Sequence, residues 1–329
     1  MVVTSHDVAR LAGVSQPTVS RALRGDQRVS QQTRDRVADA ASALGYVPSE
    51  LGRSLSTRSS RQIAMVSDID NPLYPALVAP LHDELAGAGY RMVLLAERGD
   101  EKDSYERLFD GSIDGAILTT PLLASSLAAE LHRRGIPFVQ LNRSSDVVDA
   151  DFVIADNHAG GAAVARLLTD LGHRRLGAIL GPEQTSSARG REAGFRAVLA
   201  EVPSVSVELV RPGTFTYGAG WIGLTELLQR HNVPTAIFCA NDMIAIGALN
   251  AAVARKLTVP ADLTVIGFDD IEMASWPCFN LSTVNVAMPT MARRAAQVLI
   301  ARLNGGRDVP VQETFPTEIV LRGTHAAPR

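Results

Sequence analysis

Residues 7–48 read DVARLAGVSQPTVSRALRGDQRVSQQTRDRVADAASALGYVP, and the spacing of apolar, capping and glycine residues predicts three short helices packed on one another. Thr4 stands three residues ahead of Asp7, the spacing of a capping box with Asp in place of the usual Glu or Gln. Val8, Leu11 and Ala12 fall at i, i+3 and i+4, so the first helix is expected to bury that face. Gly13 supplies the backbone freedom of a tight interhelical turn. Ser15 caps a second helix entered through Gln16, Pro17 and Thr18; proline is tolerated there because first-turn N–H groups have no intrahelical acceptor. Val14, Val19, Ala22 and Leu23 give its inner face, and Gly25 ends it. A third helix is expected from Ser30 to Leu44, with Val37, Ala40, Ala41 and Leu44 inward and Gly45 at its C-terminal end.

Two short helices joined through one glycine, with a third closing the core, is the helix-turn-helix layout. The second helix leaves Gln16, Pro17, Ser20 and Arg21 outward. Arginine can bridge the acceptors of a guanine edge and glutamine can pair with an adenine edge. The hydroxyls of Thr4, Ser15, Thr18 and Ser30, with Arg28 and Arg34, suit phosphate contacts that set register. Charge points the same way: residues 1–60 carry eight arginines against five acids, a net of +3, leaving −6 on the remainder. The pattern by itself also fits a plain three-helix bundle used for protein contacts, with solvated Arg and Gln.

Taken whole, the quoted run resembles the N-terminal signature of the LacI–GalR family of bacterial repressors. The resemblance covers the first helix, the turn, the second and third helices and the exit Gly45-Tyr46-Val47-Pro48. It implies a recognition helix in the major groove of double-stranded DNA, with Gln16, Pro17 and Arg21 at the base-reading positions. Residues 47–61 form a marginal segment after Pro48, with Leu51 and Leu55 as its only apolar anchors. Locally it fits either a flexible tether or a helix that forms only on DNA, since so short a helix does not hold alone. The resemblance favours the second and places Leu55 as a wedge between base steps. Gly52 stands where the family often has alanine, which lowers helix propensity by roughly 1 kcal/mol.

From Gln62 the chain alternates apolar strands with helical stretches. Strands are expected at 63–66, 92–95, 116–118, 138–141, 152–155, 176–180, 205–210, 236–239 and 263–268. Helices are expected at 76–88, 123–134, 159–171, 188–200, 219–230 and 243–255. This alternation predicts parallel sheet with covered faces, and so many strands predict two lobes with a ligand cleft at the carboxyl ends of the strands. The region resembles the periplasmic-binding-protein type I fold that the same family uses as a sensor. Expected boundaries are 1–46 for the DNA-binding domain and 62–329 for the sensor. Lobe 1 is taken as 62–157 with 286–315, and lobe 2 as 158–285 with 316–329.

Three segments end strands with polar groups: Ser186 to Phe195, Asn241-Asp242, and Gly267 to Asp270. An arginine, an amide and a carboxylate together can satisfy a polyhydroxylated ligand. Each residue has a plainer reading as well: Asn241 as a helix cap, Arg189 and Arg191 as surface ion pairs, Phe215 as core. The resemblance places Arg191, Asn241 and Asp269 on the effector, Phe215 against it, and Leu73 and Tyr74 on the first-lobe wall. Asn142-Arg143 stands where the family often has Asp-Arg, and a neutral amide there alters the hydrogen-bond pattern offered to the ligand.

Enzymatic chemistry finds no support in motifs. There is no phosphate-loop Gly-Lys-Ser/Thr, no GxGxxG after a strand, no HExxH and no GxSxG. Asp269 and Asp270, read as neighbours on a strand, point to opposite faces and cannot share one task. The seven histidines form no ligand-like cluster and the two cysteines, Cys239 and Cys278, have no metal spacing, so neither metal nor cofactor is expected. The 46% hydrophobic and 20% charged composition is that of a soluble globular protein. The start MVVTSHDVAR lacks a basic, then apolar, leader and no apolar run spans a bilayer, so a cytoplasmic protein with no membrane partner is expected. A solute-binding protein would share the sensor but not the basic head. The reading is a ligand-responsive transcriptional regulator, a homodimer rather than a tetramer because no leucine-rich tail follows Leu321-Arg322-Gly323. Its effector is expected to be a sugar or sugar derivative.

Overall fold

The structure, a computed structural model, describes residues 3–47, 59–96, 105–306 and 309–329. Two compact units divide it, residues 1–60 and 61–329.

The first unit holds α1 (Ser5–Ala12), α2 (Gln16–Leu23) and α3 (Gln31–Ala43). Asp7 does close the first turn: its carboxylate accepts the Thr4 backbone N–H at 3.0 Å and the Thr4 hydroxyl at 2.7 Å. Ser30 caps α3 by accepting the Thr33 N–H. Gly13, Gly25 and Gly45 sit at φ of 65°, 73° and 60°, the left-handed backbone at which a side chain is disfavoured. The core joins Val8, Ala9 and Ala12 to Val19, Ala22, Val29, Val37, Ala40 and Ala41. One expectation fails here. Leu11 is 57% exposed, and Ala9 takes the inward place beside Val8 and Ala12. The α1 contact surface is small enough to be met by alanine, so the larger side chain is left in solvent.

The second unit is built on two parallel sheets. The six-stranded sheet runs β11-β5-β4-β3-β1-β2, from β1 (Gln62–Ser67), β2 (Arg91–Ala96), β3 (Gly115–Leu118), β4 (Phe138–Leu141), β5 (Asp151–Ala155) and β11 (Gln312–Phe315). The four-stranded sheet runs β7-β6-β8-β9, from β6 (Arg175–Ile179), β7 (Ser206–Val210), β8 (Ala236–Cys239) and β9 (Thr264–Ile266). β3, β4, β8 and β9 are buried on both faces, which is why they read as largely apolar runs, with Gln140 in β4 and Thr264 in β9 as buried polar exceptions. A third, two-stranded antiparallel ribbon pairs β10 (Thr283–Val286) with β12 (Thr317–Val320).

The helices follow the alternation: α4 (Pro75–Gly87), α5 (Glu106–Phe109), α6 (Ser126–Arg133), α7 (Asn157–Asp170), α8 (Ser186–Ala200), α9 (Tyr217–Leu227) and α10 (Asp242–Ala254). α11 (Met288–Leu303), which the sequence reading did not single out, packs against α4, β3, β4 and β5. The C-terminal chain thus completes the six-stranded layer with α11 and β11. It then returns to the other sheet, where Val265 N–H donates to the Thr324 carbonyl at 2.8 Å. His173 is buried there, bonded to Thr235 Oγ1 at 2.9 Å and to the Ala326 carbonyl at 2.8 Å. Among the described residues no helix is long and apolar enough to cross a membrane.

α7 and α8 cross at bare backbone. A Cβ on Gly161 would lie 2.0 Å from the Arg191 carbonyl oxygen, and one on Gly194 would lie 1.9 Å from that of His158. Neither obstacle is a side chain that can swing aside. Gly194→Ala is therefore expected to cost about 2–3 kcal/mol through overpacking. That corresponds to a fall of roughly 5 °C or more in the thermal midpoint of the second unit, read by calorimetry. An unchanged midpoint would show that the two helices slide apart freely.

Candidate functional site

In the first unit, α2 presents its outer face to solvent. Pro17 and Arg21 are exposed, and Gln16, Thr18 and Ser20 are half-buried. Gln16 Nε2 donates to Ser5 Oγ at 3.3 Å, which ties the start of α2 back to α1. Thr4, Ser15, Arg28 and Ser30 are also exposed. Several of the hydroxyls are occupied locally: Ser15 and Thr18 bond each other at 2.8 Å, and Ser30 Oγ donates to Thr33 Oγ1 at 2.9 Å. Arg28 grips the Asp26 carboxylate, with Nη2 to Oδ2 at 2.7 Å. Arg34 donates to the carbonyls of Asp26 and Val29, so it braces the loop between α2 and α3 from within. Leu55 and Gly52 lie outside the described residues.

In the second unit the polar residues converge between the carboxyl ends of the two sheets. Arg191, on α8, is only 3% exposed. Its guanidinium spans three acceptors: Nε to Asn157 Oδ1 at 2.8 Å, Nη1 to the Ala240 carbonyl at 2.6 Å and Nη2 to Asp269 Oδ1 at 2.8 Å. It also lies over the Phe268 ring, 3.8 Å from the centroid. The surface ion-pair reading holds for Arg189, which pairs with Asp146 at 3.4 Å, and fails for Arg191, whose pair with Asp269 is buried. Asn157 was not singled out from sequence; its signal is only a polar residue at the start of a helix.

Asp269 is 4% exposed and sits at φ 112°, outside the region L-residues favour. Its N–H donates to the Val284 carbonyl at 2.8 Å, which pins the strained backbone. Burial pushes the Asp269 carboxyl above its ordinary range, and Arg191 opposes that shift. Asp270 also has positive φ, 56°, and bonds Arg322 at 2.6 Å and Asn285 at 2.9 Å. The two carboxylates do part company, but through left-handed backbone beyond β9 and not through strand alternation.

Asn241 caps α10: its Oδ1 accepts the Ile244 N–H at 2.9 Å, and its Nδ2 donates to the Phe215 carbonyl at 3.3 Å. Behind it Asp242 is fully buried and accepts from Thr283 Oγ1 and the Ile271 N–H. Burial first, then the neighbouring Asp269, push its carboxyl well above the usual carboxylate range. Phe215 lies over Gly181, where a Cβ would meet the ring at 2.5 Å. The bare glycine is what lets an aromatic side chain cover the end of β6.

From the six-stranded side come Tyr74, Asn142 and Arg143. Leu73 and Tyr74 are both buried in the turn before α4. Leu73 N–H donates to Asn71 Oδ1 at 3.0 Å. Tyr74 OH accepts from Asn142 Nδ2 at 3.5 Å, a long contact. Burial raises the Tyr74 hydroxyl, and the Arg143 charge opposes the shift. Asn142, at φ 71°, keeps its Oδ1 buried without a partner, as do Arg143 Nε and Ser145 Oγ. Arg143 faces the Phe215 ring of the other side at 5.2 Å. The two sides also touch directly: Leu123 N–H donates to the Gln184 carbonyl at 2.8 Å and Ser144 N–H to Ser186 Oγ at 2.9 Å. These contacts run to α8 and the loop before it, and α8 carries Arg191.

Comparison with known proteins supplies context for both units. Residues 4–49 match the model described as bacterial regulatory proteins, lacI family, and residues 165–325 that of a periplasmic binding protein-like domain. The HTH-type transcriptional repressor CytR of Escherichia coli (strain K12) is 32% identical across 98% of this chain and 96% of that protein. Among solved structures, the transcriptional regulator CelR in complex with cellobiose is 30% identical, with a TM-score of 0.75 over 98% of this chain and 100% of that one. The lac repressor dimer bound to operator and the anti-inducer ONPF is 28% identical, with a TM-score of 0.88 over 99% of this chain and 100% of that one.

Proposed function

Since this chain belongs to the lacI family of bacterial regulatory proteins, we propose that it is a ligand-responsive repressor of a sugar-related operon. It binds pseudo-palindromic DNA as a homodimer and takes its effector in the cleft around Arg191 and Asp269. The observation that carries the DNA half is the exposed outer face of α2, with Pro17 and Arg21 held clear of a three-helix core. Gln16, Pro17, Ser20 and Arg21 are the base-reading set, and Thr4, Ser15, Thr18, Ser30 and Arg28 the phosphate set. Arg28 must first exchange Asp26 for a phosphate. Leu55 is assigned the minor-groove wedge by family likeness alone.

Tyr74, Asn142, Arg191, Phe215, Asn241 and Asp269 are assigned to the effector, with Leu73 behind them. The protein acts in the cytoplasm and by binding, without catalysis. The effector closes the two sides of the sensor onto itself, and it biases DNA affinity only by its differential affinity for the two states. The contacts of Leu123 with Gln184, in the loop before α8, and of Ser144 with Ser186, at its start, are the latch of that closure. Ser186→Ala deletes the acceptor of the Ser144 N–H, a bond of ordinary strength worth about 1 kcal/mol. Small-angle scattering should then show a larger radius of gyration for the sensor, and calorimetry an effector affinity weaker by about fivefold.

The test of the function is fluorescence anisotropy on the DNA upstream of the protein's own gene against a scrambled duplex, over a salt series and with candidate sugars. Tighter binding to the native duplex, falling steeply with salt and shifted by a sugar, is the expected result. Equal weak binding to both duplexes under every condition would overturn the proposal.

A further inference from the structure

The recognition capacity of the cleft is unevenly spent. On the four-stranded side, Arg191 reaches three protein acceptors and Asn241 uses both ends of its amide on protein atoms. On the six-stranded side, three buried polar atoms among the described residues have no partner: Asn142 Oδ1, Arg143 Nε and Ser145 Oγ. Asn142 is only 3% exposed, so water does not readily satisfy it. Buried polar groups are normally hydrogen-bonded, and a cluster of orphans at a cleft marks where a ligand completes the structure.

The charges sharpen this. Two guanidiniums face the cleft, Arg143 and Arg191, and among the described residues the Asp269 carboxylate is ion-paired with Arg191. Asp242 sits fully buried behind them with its carboxylate oxygens given to Thr283 and the Ile271 N–H. Asp270 is matched by Arg322. Asp68, on the half-exposed turn near Tyr74, accepts the Asp70 N–H and lies where solvent screens it. Arg143 lies against the Phe215 ring at 5.2 Å; its charge acts on the Asp269 carboxylate from a distance, and among the described residues it closes no ion pair. The residue beside it, Asn142, is an amide that brings no charge and turns its Nδ2 to Tyr74.

Resting on the effector reading above, we propose that the ligand is an anionic sugar, a carboxylate or phosphate derivative, and not a neutral one. Its hydroxyls lie toward Asp269 and its anionic group meets Arg143, with Phe215 under the ring. Arg143 is thereby the residue that sets ligand class. A guanidinium offers an anion two parallel donors at once, which an ammonium or a hydroxyl cannot.

The test is isothermal titration of the full-length protein with matched sets: D-glucose, D-glucuronate and D-glucose 6-phosphate, and the same three forms of D-galactose. At least one anionic member should bind about tenfold or more tightly than its neutral parent, and the advantage should shrink as salt rises. The uronate and phosphate arms tell which anion is used. In Arg143→Gln the anion-to-neutral ratio should collapse toward one, and Arg143→Lys should recover part of it; Asn142→Asp should lower the ratio as well. A neutral hexose binding as well as its acids overturns the class assignment and leaves the regulator reading intact. So does an unchanged ratio in Arg143→Gln. Silence from all six compounds overturns the class assignment too, while specific DNA binding, measured separately by anisotropy, keeps the regulator reading standing.

Discussion

Asp269→Ala should unfold the sensor well below the wild-type temperature and abolish its response to any effector. The reason is the fate of Arg191. Its guanidinium is 3% exposed and its one carboxylate partner is Asp269, at 2.8 Å. Removing one member of a buried ion pair strands the other charge in a medium that cannot solvate it, at a cost of about 3–5 kcal/mol. For a unit of this size that lowers the thermal midpoint by roughly 10 °C. The bonds from Arg191 to Asn157 and Ala240 remain but carry no compensating charge. Two controls separate charge from backbone. Asp269→Asn keeps an acceptor for Nη2 and should lose less. Asp269→Gly deletes the same carboxylate as Ala but suits the φ of 112°, so it should be less damaging than Ala by about 1–2 kcal/mol. Equal midpoints for Ala and Gly would show that the positive φ stores no strain. A wild-type midpoint for Asp269→Ala would show that solvent reaches Arg191 after all.

The same residue marks how far sequence goes. Helices α1 to α3 were legible because turn glycines, caps and apolar spacing all act within a few residues. Strands β4 and β8 match their expected bounds because both faces are buried and the run is apolar at every position but Gln140. β11 and β12 were missed for the opposite reason: both are short and half-exposed, so QETF and TEIV carry no apolar run. α11 did carry a signal. Met288, Met291, Ala292, Ala295, Ala296 and Leu299 are buried at helical spacing, and the reading passed over it. Exposure of Leu11 was not legible, since periodicity gives a face but not the size of what covers it. In the cleft, the polar identities were readable as strand-end residues. Their bonding was not: the left-handed Asn142 and Asp269, the orphaned atoms of residues 142–145 and the bracing of Arg191 by Asn157 are long-range facts. Arg143 was visible only as the neighbour of a substitution.

Arg21→Ala should cut operator discrimination by roughly 5- to 150-fold while leaving the sensor's ligand affinity at its wild-type value. Arg21 stands on the exposed face of α2, and α2 is set by Val19 and Ala22 packing inward, so truncation at 21 leaves the three-helix core untouched. A bidentate arginine on a guanine edge is worth about 1–3 kcal/mol of discrimination, which is roughly 5- to 150-fold. Anisotropy on the native and scrambled duplexes should show the ratio of affinities falling by that factor. The salt slope should change by no more than about one phosphate contact. Arg21→Lys should not restore the ratio, because an ammonium lacks the planar fork that spans two acceptors. Arg28→Ala is the contrasting case. Its guanidinium is held by Asp26, so it has to break an existing pair to reach a phosphate. Its loss should weaken binding to both duplexes by a similar factor and leave their ratio in place. If Arg21→Ala instead lowers both affinities equally, Arg21 belongs to the phosphate set and base reading falls to Gln16, Pro17 and Ser20. If it changes neither, α2 is not the element that enters the groove, and the assignment of the head as a sequence reader fails with it.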